Sequence, residues 1–520
     1  MKKKKNTAMQ WITGMVLAFL CVFCIINIGL AGQPVMKLIK GQSTFAEFTK
    51  EIREEYTSDD FYLKNLFINI NGLFARITGQ TVCNEVVLMD NGMLTEAETK
   101  RDMKKQAEAI EELAEYVAGK NIPFLYVQAP YKEDPESRLL PEGVVSYANE
   151  NMNELLQYLE EKELNVLNLA PYFNETEELI ETYYFRTDHH WTYEGAFVAF
   201  QKISEKIATL FPEREYNLTA TELDRWERHT LENWFLGSRG KRVGNWFAGT
   251  DDFTWFTPLF ETEMSCAIPK HRQLHSGDFV EANMRTKYLE EKNYFEDNTY
   301  VTYLGGDYPL VQHRNNMSAS DVKILFIKDS YAIPVQVFLS TVFKEVDVVD
   351  PRHLTECTVA EYVARTRPDL VVLMQNPSTL GTSAYVDFGV EEALTQGEKM
   401  EFPMWQEDIF VEASDSNNYH YKAVPVAYGK TYTVTFDDVE FLQGEADGVV
   451  TSLYNRTTKT ILCSGVYDLK FCRDKDCFEW TFSTPASGAD DLVLIFYAGL
   501  PGNTKNISVE YNNVAVYEWD

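Results

Sequence analysis

The chain has 520 residues, of which 45% are hydrophobic and 13% aromatic, so it is not a disordered or low-complexity protein. This length favours two or more domains, each with its own core. The 79 acidic and 48 basic residues give a net charge of −31, which argues against a protein that binds nucleic acid or lies on an anionic membrane surface.

Residues 1–36 predict a membrane anchor. After Lys5 the next charged residue is Lys37, and Trp11 to Leu30 is an apolar stretch of 20 residues. As a helix that rises about 1.5 Å per residue, this stretch would span roughly the 30 Å hydrocarbon core. A cleaved signal peptide is the alternative, although its apolar region is usually about 7–15 residues long. The lysines before the stretch should stay in the cytoplasm, so we expect a single-pass protein of the cell membrane whose remaining chain is extracytoplasmic.

Residues 37–79 are expected to be a membrane-proximal linker, and residues 80–390 predict an α/β domain. Short apolar runs alternate here with helical stretches, and an irregular insertion is expected at about residues 215–315. Apolar strands separated by helices are typical of a parallel sheet covered by helices on both faces. The runs are Ile122 to Gln128, Leu164 to Leu169, Val322 to Ile327, Val346 to Val349 and Leu370 to Met374.

Residues 395–520 predict a β-sandwich of jelly-roll type, because strand-like segments are separated there by Gly, Asn and Pro turns. The aromatic residues of this region either stack on sugars, as in a carbohydrate-binding module, or fill the core. They are Tyr432, Trp480, Phe496, Tyr497 and Trp519. A disulfide between Cys472 and Cys477 could close one hairpin of the sandwich.

The segment from Tyr183 to Gly195, YYFRTDHHWTYEG, is the densest cluster of residues that could do chemistry. In an extended segment Asp188 and His190 point the same way, so a carboxylate could orient an imidazole that accepts a proton from a nucleophile. A metal site and a hydrogen-bonded loop are the alternatives. No C-x-x-C pair lies outside the apolar stretch, so the sequence gives little support for zinc.

Two further signals follow predicted strands. Ser330 lies just beyond the strand in VKILFIKDSYAIP, at the edge where α/β sheets bind ligands, and the N–H of Tyr331 could meet an oxyanion. The alternative is that Asp329 and Ser330 only cap the next helix. Asn376 follows the strand in LVVLMQNPS, where its amide either donates to an oxyanion or shapes a turn.

Together these motifs resemble the DHHW proteins of bacteria, relatives of the alginate O-acetyltransferases AlgX and AlgJ within the SGNH-hydrolase-like group. TDHHWT at Thr187 to Thr192 and DSYA at Asp329 to Ala332 carry the resemblance. Further matching stretches are FLGSRGKR at Phe235 to Arg242 and GTDDFTWFTP at Gly249 to Pro258. The resemblance covers about residues 80 to 380 and implies an SGNH-hydrolase-like parallel sheet.

The resemblance implies that Ser330 is the nucleophile, His190 the general base and Asp188 its orienting partner. Tyr331 and Asn376 would bind the oxyanion, and Trp191 and Arg242 would contact the substrate. No metal or cofactor is expected. Lys328 and Asp329 stand before the serine where Gly-Asp is usual in the wider hydrolase superfamily.

The implied function is O-acetylation of a cell-surface or exported polysaccharide through an acetyl-serine intermediate. A membrane-bound O-acyltransferase would supply the acetyl group outside the cell, and the strong acid excess favours a neutral or amino-sugar polymer as acceptor. Two alternatives remain open from the sequence. One is a carbohydrate esterase with the same triad, and the other is a non-catalytic scaffold subunit that binds polysaccharide.

Overall fold

The computed structural model describes residues 2–30, 32–55, 62–133, 138–174, 180–395, 397–415, 418–420, 423–471, 478–501 and 506–519. Cys472 and Cys477 lie outside the described residues. The helices are α1 Lys2–Leu30, α2 Gly32–Ile39, α3 Phe45–Glu55, α4 Lys64–Ile77, α5 Lys104–Ala118, α6 Ala148–Glu161, α7 Ala170–Asn174, α8 Ile180–Tyr183, α9 Tyr193–Leu210, α10 Ser238–Val243, α11 Asn245–Ala248, α12 Phe279–Asn283, α13 Lys287–Glu290, α14 Ala332–Leu339, α15 Val359–Thr366 and α16 Val390–Thr395.

The strands are β1 Val82–Cys83, β2 Val86–Leu88, β3 Leu94–Thr95, β4 Phe124–Gln128, β5 Val166–Asn168, β6 Trp226–Phe235, β7 Asp251–Pro258, β8 Met264–Ile268, β9 Gln273–Gly277, β10 Leu310–Asn315, β11 Ser320–Ile327, β12 Phe343–Val349, β13 Leu370–Gln375, β14 Trp405–Asp415, β15 Asn418–His420, β16 Ala423–Pro425, β17 Thr431–Phe436, β18 Asp438–Gln443, β19 Gly448–Asn455, β20 Thr460–Asp468, β21 Phe478–Ser483, β22 Leu492–Phe496 and β23 Ile507–Glu518.

The chain divides into two compact units, of which the smaller comprises residues 1–84 and 240–249. Within it α4 packs against residues 243–247 so closely that a Cβ on Gly72 would lie 2.0 Å from the carbonyl oxygen of Val243. The segment expected to be a linker, 37–79, contains α3 and α4, because apolar residues recur there at helical spacing. None of the helices, taken over the described residues, is both long and apolar enough to cross a membrane. The anchor stays a prediction.

The larger unit, residues 85–239 and 250–520, contains the predicted α/β fold. Its central sheet has eight strands in the order β5-β4-β13-β11-β12-β10-β8-β9. The first five pair in parallel, and β10, β8 and β9 continue the sheet in antiparallel fashion. The insertion expected to be irregular is therefore largely regular: it supplies the β6–β7 hairpin and three strands of the sheet.

Alternate residues of the central strands enter two cores, one on each face of the sheet. On β11, Ile324 and Phe326 face the core that α9 and α14 cover, whereas Leu325 and Ile327 face the core under α5, α6 and α15. Because both faces are buried, these strands are continuously apolar, which is the pattern that predicted them. The predicted parallel sheet flanked by helices is confirmed.

The C-terminal region forms two antiparallel sheets that enclose a separate core. One sheet has the order β15-β14-β23-β17-β21, with β18 also paired to β23, and the other has the order β16-β22-β19-β20. The predicted β domain is confirmed. Tyr432, Phe496 and Tyr497 are buried, whereas Trp480 and Trp519 are half-buried, so only these two tryptophans keep part of their surface accessible among the five aromatic residues singled out.

Candidate functional site

Ser330 lies where the central sheet presents the carboxyl ends of its parallel strands. Strand β11 ends at Ile327 between its parallel neighbours β12 and β13, and after the turn of residues 328–331 helix α14 begins at Ala332. This edge is where open α/β sheets bind ligands. The fold therefore places a half-buried serine hydroxyl at the crevice of the sheet.

The segment with the two histidines forms a tight loop before helix α9. Its two ends meet in an antiparallel bridge between Tyr184 and Trp191, and the hydroxyl of Thr192 accepts a hydrogen bond from the N–H of Gly195 to cap the helix. Asp188 and His190 are buried, whereas the side chain of His189 keeps 31% of its surface exposed. The two neighbouring imidazoles therefore differ in their access to solvent.

Asp188, His190 and Ser330 form one chain of hydrogen bonds. His190 Nδ1 lies 2.5 Å from Asp188 Oδ1, and His190 Nε2 lies 2.8 Å from Ser330 Oγ. Burial alone would raise the pKa of Asp188, but the imidazoles of His189 and His190 hold it well below its ordinary value. The structure therefore brings the three residues of the predicted triad together in the order that general-base activation of a serine requires.

Two groups remote in sequence hold Asp188. Its second oxygen, Oδ2, accepts a hydrogen bond of 2.6 Å from the backbone N–H of Ser238. The buried ammonium of Lys132 donates to the carbonyl oxygens of Leu94, Phe185 and Asp188 at 2.7, 2.8 and 2.6 Å. Burial lowers the pKa of Lys132 well below its ordinary value. Both groups hold the loop that carries Asp188 in place, and neither was predicted from the sequence.

Tyr300 contacts both His190 and the serine turn. Its ring stacks on the imidazole of His190 with centroids 3.8 Å apart and an interplanar angle of 11°. Its hydroxyl donates to the carbonyl oxygens of Ser330 and Tyr331, both at 3.1 Å. This tyrosine lies in the insertion, where no motif marked it, and only the fold brings it to the triad.

His189 has a different environment from His190. Its Nδ1 lies 2.9 Å from the hydroxyl of Ser238 and 3.3 Å from Asp188 Oδ1. Partial burial and the neighbouring His190 lower the pKa of His189 well below its ordinary value. Its ring packs against the ring of His190 with centroids 3.7 Å apart.

Of the two predicted oxyanion donors, the N–H of Tyr331 already has a hydrogen-bond partner, whereas the side-chain amide nitrogen of Asn376 can donate. The backbone N–H of Tyr331 donates to Asp329 Oδ1 at 3.0 Å, so it is already engaged. Asn376 lies at the end of β13, and its Oδ1 accepts hydrogen bonds from the N–H and hydroxyl of Ser378. That pairing leaves the amide nitrogen, Nδ2, as the end of Asn376 that can donate to an oxyanion.

Asp329 joins the two strand ends that carry these groups. Its Oδ2 accepts hydrogen bonds from the N–H of Asn376 at 2.8 Å and from the hydroxyl of Thr379 at 2.9 Å. One buried carboxylate therefore fixes the serine turn against the asparagine turn. The alternative considered for Asp329 from the sequence, a cap on the next helix, is wrong: helix α14 begins without a side-chain cap, and the Asp329 carboxylate binds the N–H of Tyr331 and the turn after β13 instead.

The two predicted substrate contacts have other surroundings. Trp191 is fully buried, its Nε1 donates to the carbonyl oxygen of Tyr331 at 2.8 Å, and its ring stacks on Phe173. The apolar surface of a tryptophan fills the core here, which corrects the prediction that Trp191 contacts substrate. Arg242 belongs to the smaller unit, where Nη2 donates to the carbonyl oxygen of Asn84 at 2.7 Å. Its role in substrate binding stays a prediction.

Lys328, two residues before Ser330, belongs to a buried ion network. Its ammonium contacts Asp307 and lies 3.0 Å from Asp350 Oδ2, and Arg352 also binds both carboxylates. Burial alone would lower the pKa of Lys328, but Asp350 and Asp307 raise it above its ordinary value. The network therefore stays charged, with two cations facing two carboxylates.

Two groups of side chains lie close enough to share a metal ion among the described residues. One is Asp188 with His189 and His190, and the other is Asp307 with Asp350 and His353. In the first group, Asp188 Oδ1 and His190 Nδ1 bind each other. In the second, Lys328 and Arg352 already neutralise the carboxylates. In both groups, therefore, carboxylate oxygens that could bind a metal ion already have hydrogen-bond or ion-pair partners in the protein.

The comparisons with known proteins found a family model and several solved structures to which the chain is similar. Residues 87–240 match the family model described as the SGNH hydrolase-like domain, acetyltransferase AlgX. No curated protein sequence matches the chain. Bacillus cereus PatB1 has a similar solved structure, with 24% identity over 58% of this chain and 99% of that one and a TM-score of 0.48.

Two further solved structures are similar to the chain. A DHHW family protein from Eubacterium siraeum shares 20% identity over 60% of this chain and 96% of that one, with a TM-score of 0.42. Pseudomonas aeruginosa AlgX shares 14% identity over 83% of this chain and 94% of that one, with a TM-score of 0.35. The match of residues 87–240 confirms the resemblance seen in the sequence motifs: this part of the chain is similar to the SGNH hydrolase-like domain of the AlgX acetyltransferase model.

Proposed function

We propose that the protein is an O-acetyltransferase that acetylates a polysaccharide through an acetyl-serine intermediate. The observation that carries this proposal is the continuous hydrogen-bond chain from Asp188 through His190 to Ser330 at the crevice of the sheet. The description of the matching family, an acetyltransferase, supports acyl transfer as the type of reaction. In this proposal Ser330 is the nucleophile, His190 is the base and Asp188 is its orienting carboxylate.

In the first half-reaction His190 Nε2 takes the proton of the Ser330 hydroxyl while Oγ attacks the carbonyl carbon of the acetyl donor. The tetrahedral intermediate collapses, the leaving oxygen of the donor takes the proton from His190, and Ser330 carries the acetyl group. Asp188 keeps the imidazole oriented and stabilises its cationic form. The low pKa of Asp188 means that this carboxylate is ionised throughout the neutral range.

In the second half-reaction a sugar hydroxyl gives its proton to His190 and attacks the acetyl carbonyl, which regenerates the Ser330 hydroxyl. We assign Asn376 Nδ2 as a donor to the oxyanion in both steps. The second donor is a backbone N–H of the turn at residues 330–331, and use of the Tyr331 N–H would require its bond to Asp329 to lengthen. Removal of one such donor typically costs about 10²–10³ in rate.

We further propose that the site lies outside the cytoplasm and that residues 1–36 anchor the chain in the cell membrane as a single-pass protein. Acetyl-CoA is absent outside the cell, so a membrane-bound O-acyltransferase would supply the acetyl group. The anchor would keep the two proteins together. The C-terminal β domain would hold the polysaccharide acceptor, and the charge of −31 favours a neutral or amino-sugar polymer.

The test separates transfer from hydrolysis. The purified protein is mixed with an acetyl ester, with and without a neutral oligosaccharide, and both free acetate and acetylated sugar are measured. We expect acetylated oligosaccharide from the wild type and none from Ser330→Ala, while Ser340→Ala, a serine at the end of α14, behaves as the wild type. Acetate released at the same rate with an unmodified acceptor would identify an esterase. No reaction in either case would favour the scaffold.

A further inference from the structure

Helix α4 of the smaller unit has an exposed apolar face. Its small residues Gly72 and Ala75 are buried, and at Gly72 the helix packs closely against residues 243–247. The large apolar side chains of α4 are exposed instead, with between 39% and 74% of the surface of each accessible to solvent. They recur at intervals of three and four residues, so they form one stripe along the helix. They are Leu66, Phe67, Ile70, Leu73, Phe74 and Ile77.

Two neighbouring side chains enlarge this apolar face. Trp246 lies on α11, the helix against which α4 packs, and is 47% exposed. Val82, on the short strand β1 that follows α4, is 45% exposed. We call the six exposed apolar side chains of α4, together with Val82 and Trp246, the α4 surface. Contiguous exposed apolar patches on a protein mark sites of contact with another protein or with a membrane.

The segments that carry the α4 surface are basic, although the chain is strongly acidic. Residues 62–84 and 240–249 contain four basic residues and no acidic residue, whereas the whole chain has a net charge of −31. The basic residues are Lys64, Arg76, Lys241 and Arg242. Charges act over about 8 Å at physiological ionic strength, so the local cations determine what this surface attracts. The argument from net charge against an anionic membrane therefore does not extend to the α4 surface.

The α4 surface is continuous with the segment that we propose as the membrane anchor. The ring of Phe23, on α1, packs edge-on against the ring of Phe67 with centroids 5.6 Å apart. The side-chain oxygen of Asn27, also on α1, accepts a hydrogen bond of 3.0 Å from the N–H of Tyr62, two residues before α4 begins. The apolar residues of α4 therefore adjoin those of the proposed anchor within the smaller unit.

We propose that the α4 surface lies on a lipid bilayer that contains anionic phospholipid. Its apolar side chains would insert among the acyl chains, and its cations would lie at the phosphate groups, as in helices that bind in the plane of a membrane interface. Contact with a second copy of the chain is disfavoured, because it would bring two sets of the same cations together. The inference rests on the proposed function only in placing residues 1–36 in the membrane, and it adds a second membrane contact to that anchor.

The test uses the full chain carrying Ser330→Ala, reconstituted into vesicles, so that acetyl transfer does not contribute. A photoreactive benzophenone amino acid replaces Phe74, which is 62% exposed. In the matched control it replaces Phe410, which is 54% exposed on β14 of the larger unit. The vesicles are either phosphatidylcholine alone or an equimolar mixture of phosphatidylcholine and phosphatidylglycerol. After irradiation, mass spectrometry identifies what each position has bound.

We expect a phospholipid adduct at position 74 that is about tenfold or more above that at position 410, with a higher yield on the vesicles that contain phosphatidylglycerol. Arg76→Gln should lower the yield at position 74 on these vesicles by up to about fivefold, because it removes one cation from the anionic membrane surface. Lys105→Gln, which removes an exposed cation on α5 of the larger unit, should leave that yield unchanged. Thermal unfolding of each variant shows whether it is folded.

Three results would overturn the proposal. They are equal phospholipid adducts at positions 74 and 410, an adduct of position 74 with a second copy of the chain in place of lipid, and equal yields on the two kinds of vesicle. Flotation of the vesicles reports separately whether residues 1–36 hold the chain in the membrane. The acetyl-transfer assay reports whether Ser330 acts, so failure of the proposed function and failure of this inference give different results.

Discussion

The turn of residues 328–331 contributes one residue to each of two clusters of charged side chains, and the two clusters differ in what they can do chemically. Lys328 meets Asp307, Asp350 and Arg352 in a network of two cations and two carboxylates. Ser330, two residues later, meets His190 and Asp188 in a chain whose last member is a half-buried hydroxyl. Both clusters contain residues that could hold a metal, and both are held by many hydrogen bonds.

The difference lies in what each cluster leaves unsatisfied. Every charge of the Lys328 network has a counter-charge within the network, so it can only hold strand ends together. The triad instead ends in a hydroxyl whose proton has an acceptor ready, so it can form a new bond. Burial and charge alone therefore do not mark a candidate active site, whereas a hydroxyl hydrogen-bonded to an oriented imidazole does.

The largest effect should come from the base of the triad. His190→Ala removes the group that accepts the Ser330 proton, so we expect kcat for acetyl transfer to fall by about 10⁴ or more. Asp188→Asn should lose about 10⁴ as well, because it no longer fixes the tautomer of His190. His189→Ala is the matched control in the same loop. If its kcat fell as far as that of His190→Ala, the assignment of His190 as the base would be wrong. Initial rates at saturating donor measure all three.

A substitution in the Lys328 network should lower the stability of the fold and leave kcat nearly unchanged. Asp350→Asn leaves the buried Lys328 without one of its two carboxylates, and breaking a buried pair typically costs about 3–5 kcal/mol. We expect this loss in the free energy of unfolding from denaturant titration, with kcat per folded molecule within a few-fold of the wild type. If kcat instead fell as far as in His190→Ala, the network would be part of the chemistry and the comparison above would be wrong.

His313 is a buried histidine outside both clusters, and it should make the stability of the fold depend on pH. Burial lowers the pKa of His313, on β10, to about 4. The unfolded chain binds a proton at about pH 6.5 and the folded chain only at about pH 4, so stability is full above the unfolded pKa and falls as the pH drops through this window. The difference corresponds to about 3 kcal/mol. His313→Leu should flatten this part of the stability profile, and a profile unchanged by the substitution would contradict the assignment.

Lys132 should act as a positioning residue. Lys132→Met removes the three hydrogen bonds that hold the loop carrying Asp188, and a displacement of about 1 Å in a reacting group can cost about 10² in rate. We expect kcat to fall by about that factor with KM little changed, and Lys132→Arg to recover part of it. A loss of stability without any change in kcat would show that Lys132 is only structural.

The sequence predicted the parallel sheet because its strands are buried on both faces and are therefore continuously apolar. It also marked Asp188, His190 and Ser330, because two short motifs carry them. Tyr300, Lys132 and Ser238 could not be found in this way, because each reaches the triad only through the tertiary fold. Strand β10 was missed because its residues from Gln312 to Asn315 are all polar or charged, so it contains no apolar run. Trp191 was assigned to substrate because the motif contains it, although its side chain is wholly in the core.

The most direct test of the account is to trap the intermediate. The purified protein is incubated with an acetyl ester in the absence of acceptor, quenched in acid and digested, and its peptides are analysed by mass spectrometry. The account predicts one added acetyl group on the Ser330 hydroxyl in the wild type, its loss on addition of an oligosaccharide acceptor, and no label in Ser330→Ala or His190→Ala. Acetylation of another residue that turns over while Ser330 stays unmodified would contradict it.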